Sequence, residues 1–104
     1  MYITLIVREM AENHSNYTTN LFTTKQKAIN FIRKFAYEFF NEMLSRGYIN
    51  IEENMNILEK YITLKNGQYI LKKSVSVDTL DELFEQFSHG VVKWFISDNE
   101  IPVY

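Results

Sequence analysis

Few residues in this chain could carry chemistry. Two histidines stand near carboxylates: Glu12 lies two positions before His14, and Glu85 precedes His89 by one helical turn. The first pair has the composition of a general acid and base; the second has the i, i+4 spacing of two metal ligands on one helix face. The plain alternatives are stronger. A lone His beside a carboxylate is usually a solvated pair, and a His at a helix end is favoured by the dipole without any ligand. Asp78, Asp81, Glu82 and Glu85 invite a divalent cation, yet acids crowd the first turn of helices for the same dipole reason, and the calcium-loop spacing with its central Gly is missing. No cysteine is present, so thiolate chemistry, Cys-based metal sites and disulfides are excluded. Each of the 3 glycines is needed at a turn or helix end, which leaves none for a phosphate loop, a dinucleotide motif or a nucleophile elbow. The expectation is a protein with no catalytic centre, cofactor or metal.

Binding is the remaining possibility, and charge narrows it. The net charge of −2 argues against a strongly basic nucleic-acid binder. Residues 24–47 carry five bases against two acids, whereas residues 74–104 carry six acids against Lys93. Asp81, Glu82 and Glu85 in the acidic segment are therefore candidates for contact with a basic partner surface. On a hairpin between these segments, Lys60, Lys65, Lys72 and Lys73 are interleaved with Tyr61 and Tyr69, the composition of a base-stacking ribbon or an anion site. Lysines on an edge hairpin also serve as an ordinary guard against strand aggregation. Helix N-termini at Thr23, Asn50 and Thr79 would support the anion-binding alternative.

The element that must position these groups is a long helix over residues 23–47. Thr23 and Gln26 have capping-box spacing, and Gly47 supplies the left-handed residue that closes the helix after Arg46. At ~100° per residue, Ala28, Ile32, Phe35, Ala36, Phe39 and Met43 share one stripe, with Ile29 and Phe31 on its flanks. Lys27, Asn30, Lys34, Glu38, Asn41 and Ser45 take the opposite side. Arg33, Tyr37, Phe40 and Leu44 form a second stripe that borders the wet face. Either a helix at residues 51–60 covers it, or it is an exposed docking face or self-association seam.

Around this helix the remaining patterns are shorter. Tyr2 to Val7 is a continuous β-rich run, expected to be a central strand covered on at least one face. Glu9 to Asn16 has loop composition, and Tyr17 to Phe22 reads as a returning strand. Asn50 and Glu53 repeat the capping spacing before a helix at residues 51–60. Residues 61–65 and 68–72 flank Asn66-Gly67, the dipeptide of a type I′ hairpin, which places Lys65 opposite Gln68 and Ile62 opposite Leu71. Thr79 and Glu82 mark a third cap, with Leu80, Leu83, Phe84 and Phe87 as the buried stripe and Gly90 as the stop. Residues 91–96 form a last strand, which must send Trp94 and Phe95 to opposite faces. The whole reads as one α+β domain in the order ββααββαβ, a mixed or antiparallel sheet packed by one long and two shorter helices.

At 104 residues the chain is expected to form a single domain, and with no leader pattern or long apolar span, a soluble cytoplasmic one. Abundant Phe, Tyr, Ile, Asn and Lys against 3 Gly and 1 Pro points to AT-rich coding. The run Leu21 to Ile32 resembles the strand-to-helix join of many small phage and low-GC bacterial proteins. In size, composition and coding the chain is similar to phage accessory proteins, including anti-CRISPR and other anti-defence inhibitors. Beside the missing catalytic set, the aromatic surplus and the split charge, that likeness leads to the expectation of a non-enzymatic module in the host cytoplasm that binds a host protein or complex, most concretely an inhibitor of a defence or nucleic-acid enzyme, with a homodimer possible. The likeness assigns no residue a role.

Overall fold

The computed structural model describes residues 1–9, 15–88 and 92–97. Its elements run β1 (Tyr2–Glu9), β2 (Ser15–Phe22), α1 (Lys25–Ser45), α2 (Met55–Leu58), β3 (Ile62–Lys65), β4 (Gln68–Leu71), α3 (Val77–Phe87) and β5 (Val92–Ile96), the α+β order expected. His14, Glu12, His89 and Gly90, with the roles proposed for them, lie outside the described residues. All strand pairs are antiparallel, and they form two sheets: a three-stranded sheet ordered β2-β1-β5 and the separate β3-β4 ribbon.

Local chemistry accounts for the ends of α1. Thr24, in extended backbone, caps it by accepting the Lys27 N–H at 3.2 Å. The cap is therefore one residue later than the Thr23 box. Thr23 Oγ1 instead accepts from Lys27 Nζ, and Gln26 donates to Asn30 rather than reaching back. At the other end Gly47, at φ 74°, closes a full Schellman motif: Tyr48 N–H donates to the Met43 carbonyl at 3.1 Å and Gly47 N–H to Leu44 at 3.4 Å.

Three other expectations shift. The second helix is only four residues long. Asn50 accepts the Glu53 N–H at 3.1 Å, and Asn54 donates to the Asn50 carbonyl at 2.7 Å. The Asn50 contact is the cap that the sequence spacing predicts, but residues 51–54 form turns, and the Asn54 side chain competes for the Asn50 carbonyl that a first helical turn would use. Helix α3 begins at Val77, before Thr79, because Ser76 Oγ takes the Thr79 N–H at 3.2 Å. Glu9, Ser15 and Asn16, expected in a loop, are strand residues that extend the β1–β2 ladder.

The hairpin has the expected register, with Asn66 at φ 52° and Gly67 at φ 78° supplying its turn. The core lies between the sheet, α1, α3 and this ribbon. Ile6, Ile32, Ala36, Phe40, Leu58, Leu71, Leu80, Phe84 and Val92 are buried in it. Phe84 is its aromatic hub, with ring centroids 5.8 Å from Phe39, 5.8 Å from Phe40 and 4.8 Å from Trp94, the last edge-on.

Candidate functional site

The second stripe of α1 is not a surface. Phe40 is 0% exposed and Leu44 5%, both within the core. Arg33 and Tyr37 are half-buried and tied to backbone: Arg33 Nε donates to the Val75 carbonyl at 2.9 Å, its Nη2 to the Lys73 carbonyl, and Tyr37 Oη to the Leu71 carbonyl at 2.8 Å. Asn41, expected on the wet side, accepts the Leu71 N–H at 2.8 Å. In a two-residue hairpin the backbone groups of Leu71 point away from β3, so they would otherwise be bare. Helix α1 thus closes the edge of β4 with its own polar side chains. Arg33, Tyr37, Phe40 and Leu44 are therefore not an exposed docking face: Leu71, Lys73 and Val75 hold Tyr37 and Arg33, Phe40 packs against Phe84 and Phe87 of α3, and Leu44 lies in the core that Ile51, Met55 and Leu58 also join.

The hairpin cations divide from their aromatic partners. Lys60, Lys65, Lys72 and Lys73 are exposed, but Tyr61 and Tyr69 are half-buried against the core. Rings held in that way offer little of the free face that base stacking needs. Helix α3 does present Asp81, Glu82 and Glu85 to solvent. Among the described residues, no group of three or more His, Asp or Glu side chains could hold a metal ion. No described helix is long and apolar enough to cross a membrane.

The surface that sequence reasoning missed is the outer face of the three-stranded sheet. In antiparallel strands, residues directly opposite one another share a face. Along β1, Thr4 (0% exposed) and Ile6 (3%) point inward beneath the helices. Ile3, Leu5 and Val7 therefore point outward, and the register places Leu21, Thr19 and Tyr17 opposite them on β2, with Phe95 and Lys93 opposite Leu5 and Val7 on β5. Tyr17, Leu21 and Phe95 are 64%, 60% and 56% exposed. Three of the protein's most exposed large apolar side chains thus lie on one face, around a centre made of Ile3, Leu5 and Val7. Among the described residues, the charges of that face, Glu9 and Lys93, are at one end of it.

The edge of β2 extends this surface. Ser97 N–H donates to the Ile3 carbonyl at 3.0 Å, and Ile3 N–H to Ser97 Oγ at 3.1 Å. Odd residues of β1 therefore bond toward β5 and even ones toward β2. By alternation, the N–H and C=O of Ser15, Tyr17, Thr19 and Leu21 face away from β1. No charge and no proline lies in Ser15–Phe22, so β2 lacks the usual edge guards. At the opposite margin, Asp81, Glu85, Lys93, Trp94 and Phe95 border a groove of about 670 Å³ between α3 and β5. Partial burial, followed by the negative fields of Glu85, Asp78 and Glu82, holds the Asp81 carboxyl above its ordinary value of 3.8.

The signal for this face was present in the alternation of β2 and β5. What the sequence lacked was any mark showing that both α1 and α3 would lie on the same side of the sheet. No protein-family model, no curated protein and no solved structure matches this chain.

Proposed function

We propose that this chain is a non-enzymatic protein-binding module that docks through the outer face of its three-stranded sheet. The observation that carries the reading is the coplanar exposure of Tyr17, Leu21 and Phe95 around Ile3, Leu5 and Val7. Exposed apolar patches of this kind mark interaction surfaces in soluble proteins. Phe95 also borders the groove with Asp81 and Glu85, which sets carboxylates of α3 along the β5 margin of this face. An apolar centre with a charged margin is the ordinary anatomy of a protein interface. The partner it fits is a protein surface with an apolar patch flanked by Lys or Arg. Basic flanks of this kind border the substrate channels of nucleic-acid enzymes, so a phage-type inhibitor of a host defence or nucleic-acid enzyme is the narrower form of the proposal.

The test compares the wild-type protein with a Leu21→Ser/Phe95→Ser variant, each tagged and recovered from host lysate. The expected outcome is a stoichiometric protein held by the wild type, released by raised salt, cross-linked to β2 or β5, and lost by the variant. Equal retention by the variant overturns the docking face. Self-association of the wild type that the variant abolishes assigns the same face to a second copy instead of a host partner.

A further inference from the structure

The helix side of the sheet carries a second concave site, remote in character from the outer face. At the end where α1 and α3 both finish, Arg8, Phe39, Glu42, Met43, Arg46, Tyr48, Phe87 and Ser88 line an open concavity of about 390 Å³. We propose that this cavity binds a planar aromatic anion, a carboxylate or phosphate ester with a one- or two-ring aromatic body.

Its walls and rim supply the two halves of that recognition. Phe39 and Phe87 are half-buried and Met43 is nearly covered, so the floor is apolar and largely preformed. Phe39 is fixed by its neighbours Phe35 and Phe84, each 5.8 Å away between centroids, and Phe87 meets Phe40 edge-on at 6.1 Å. Tyr48 is 71% exposed, yet its backbone is pinned by the Schellman bond to Met43. An exposed tyrosine on a fixed backbone is a ready stacking wall.

The rim is cationic in a protein that is anionic as a whole. Arg8 lies over the Phe39 ring, Cζ to centroid 5.1 Å, which orients its guanidinium at low entropic cost. Arg46 pairs with Glu42 at 2.7 Å, and both side chains remain more than half exposed. A guanidinium has five N–H donors, so a single carboxylate leaves Arg46 able to bond a second anion. Arg8 and Arg46 against Glu42 leave one positive charge among the named rim side chains, partly offset by the negative ends of α1 and α3. A carboxylate would therefore be held by direct bonds to the two guanidiniums, and an aromatic body would replace water on Phe39, Met43 and Phe87. The volume of this open concavity lies within the range of small-molecule sites, which are mostly apolar with a few placed polar groups.

The experiment titrates the full chain with naphthalene-2-carboxylate and, separately, with its neutral carboxamide, following backbone amide shifts by NMR. Saturable one-to-one binding of the carboxylate is expected, with the shifts centred on Tyr48, Ser88 and Arg8. Arg8→Gln and Arg46→Gln, both at exposed positions that leave the core intact, should each weaken it about tenfold, equal to about 1.4 kcal/mol of lost charge-assisted contact. The Leu21→Ser/Phe95→Ser variant should bind as the wild type does, so the fate of this site is read independently of the docking face. Equal affinity for the carboxamide, unchanged affinity in both arginine variants, or shifts confined to β2 and the outer face of β5 would each overturn the proposal.

Discussion

The two β surfaces of this protein meet the same helix and are finished in opposite ways. The β3-β4 ribbon turns its outward-facing backbone toward α1, and Asn41 and Tyr37 satisfy both polar groups of Leu71. The three-stranded sheet gives α1 and α3 only its inner face, and among the described residues its outer face and its β2 edge stay open. Both surfaces are rich in β-branched and aromatic residues, and the lysines that could guard an edge lie on the hairpin rather than on the uncharged β2. The difference is geometric: a helix can close a strand edge or cover a sheet face, and α1 has only two sides to spend on them. What it leaves open is the face proposed above for docking.

The sharpest way to break this comparison is to remove the inner hub. Phe84→Ala deletes the ring that joins Phe39, Phe40 and Trp94, and should cost about 3–5 kcal/mol in denaturant unfolding. Phe95→Ser, one strand position from Trp94 but on the outer face, should stay within about 0.5 kcal/mol of the wild type. A similar loss at both positions would mean that the outer face is covered after all.

The closed edge of the ribbon comes next. Asn41→Ala strips the acceptor from the Leu71 N–H and should destabilise by about 1–3 kcal/mol, with hydrogen exchange at Leu71 rising more than elsewhere in the ribbon. Uniform exchange across the ribbon would show that Asn41 is not its clamp. In the opposite direction, Thr4 is fully buried on the inner face, and among the described residues its hydroxyl has no hydrogen-bond partner. Thr4→Val should raise stability by about 1 kcal/mol, or about 4 °C in Tm. A loss instead would reveal a bond to that hydroxyl.

The smallest effect concerns the acidic margin. Because the folded state holds the Asp81 carboxyl above 3.8, the native protein binds more protons than the unfolded chain between 3.8 and that raised value. Stability at this site therefore falls as pH rises through the window, and the deficit persists above it. Asp81→Asn should give a slight gain in Tm at pH 7 that disappears below pH 3.8. A gain independent of pH would remove the electrostatic account.

Much of the fold was legible in the chain because the signals are local. A hairpin turn needs positive φ at two adjacent residues, and Asn66-Gly67 tolerates it, which set the register without any tertiary help. The long helix likewise announced itself through its stripe and Gly47. Its cap moved by one residue because Thr23 and Thr24 offer the same hydroxyl, and only the fold chose between them. The second helix shrank where the Asn54 side chain competes for the Asn50 carbonyl, an effect that a hydrophobic period does not register.

The site was less legible, and the helix at the centre of the sequence reading shows why. Periodicity placed Arg33, Tyr37, Phe40 and Leu44 on one side of α1, but a period says only that residues share a face, never what lies against it. The groups that meet this stripe, the backbone of Leu71 to Val75 and the rings of Phe84 and Phe87, are at least 34 positions away in the chain. In the same way, the continuous apolar run of β1 cannot tell burial on two faces from burial on one, because Ile3, Leu5 and Val7 are as apolar as Ile6. The sequence by itself determined the elements, their order and the hairpin register, all consequences of backbone preferences within a few residues. Only the tertiary structure decided which apolar faces are closed, because that depends on where α1 and α3 lie, on one side of a sheet whose other side they leave to solvent.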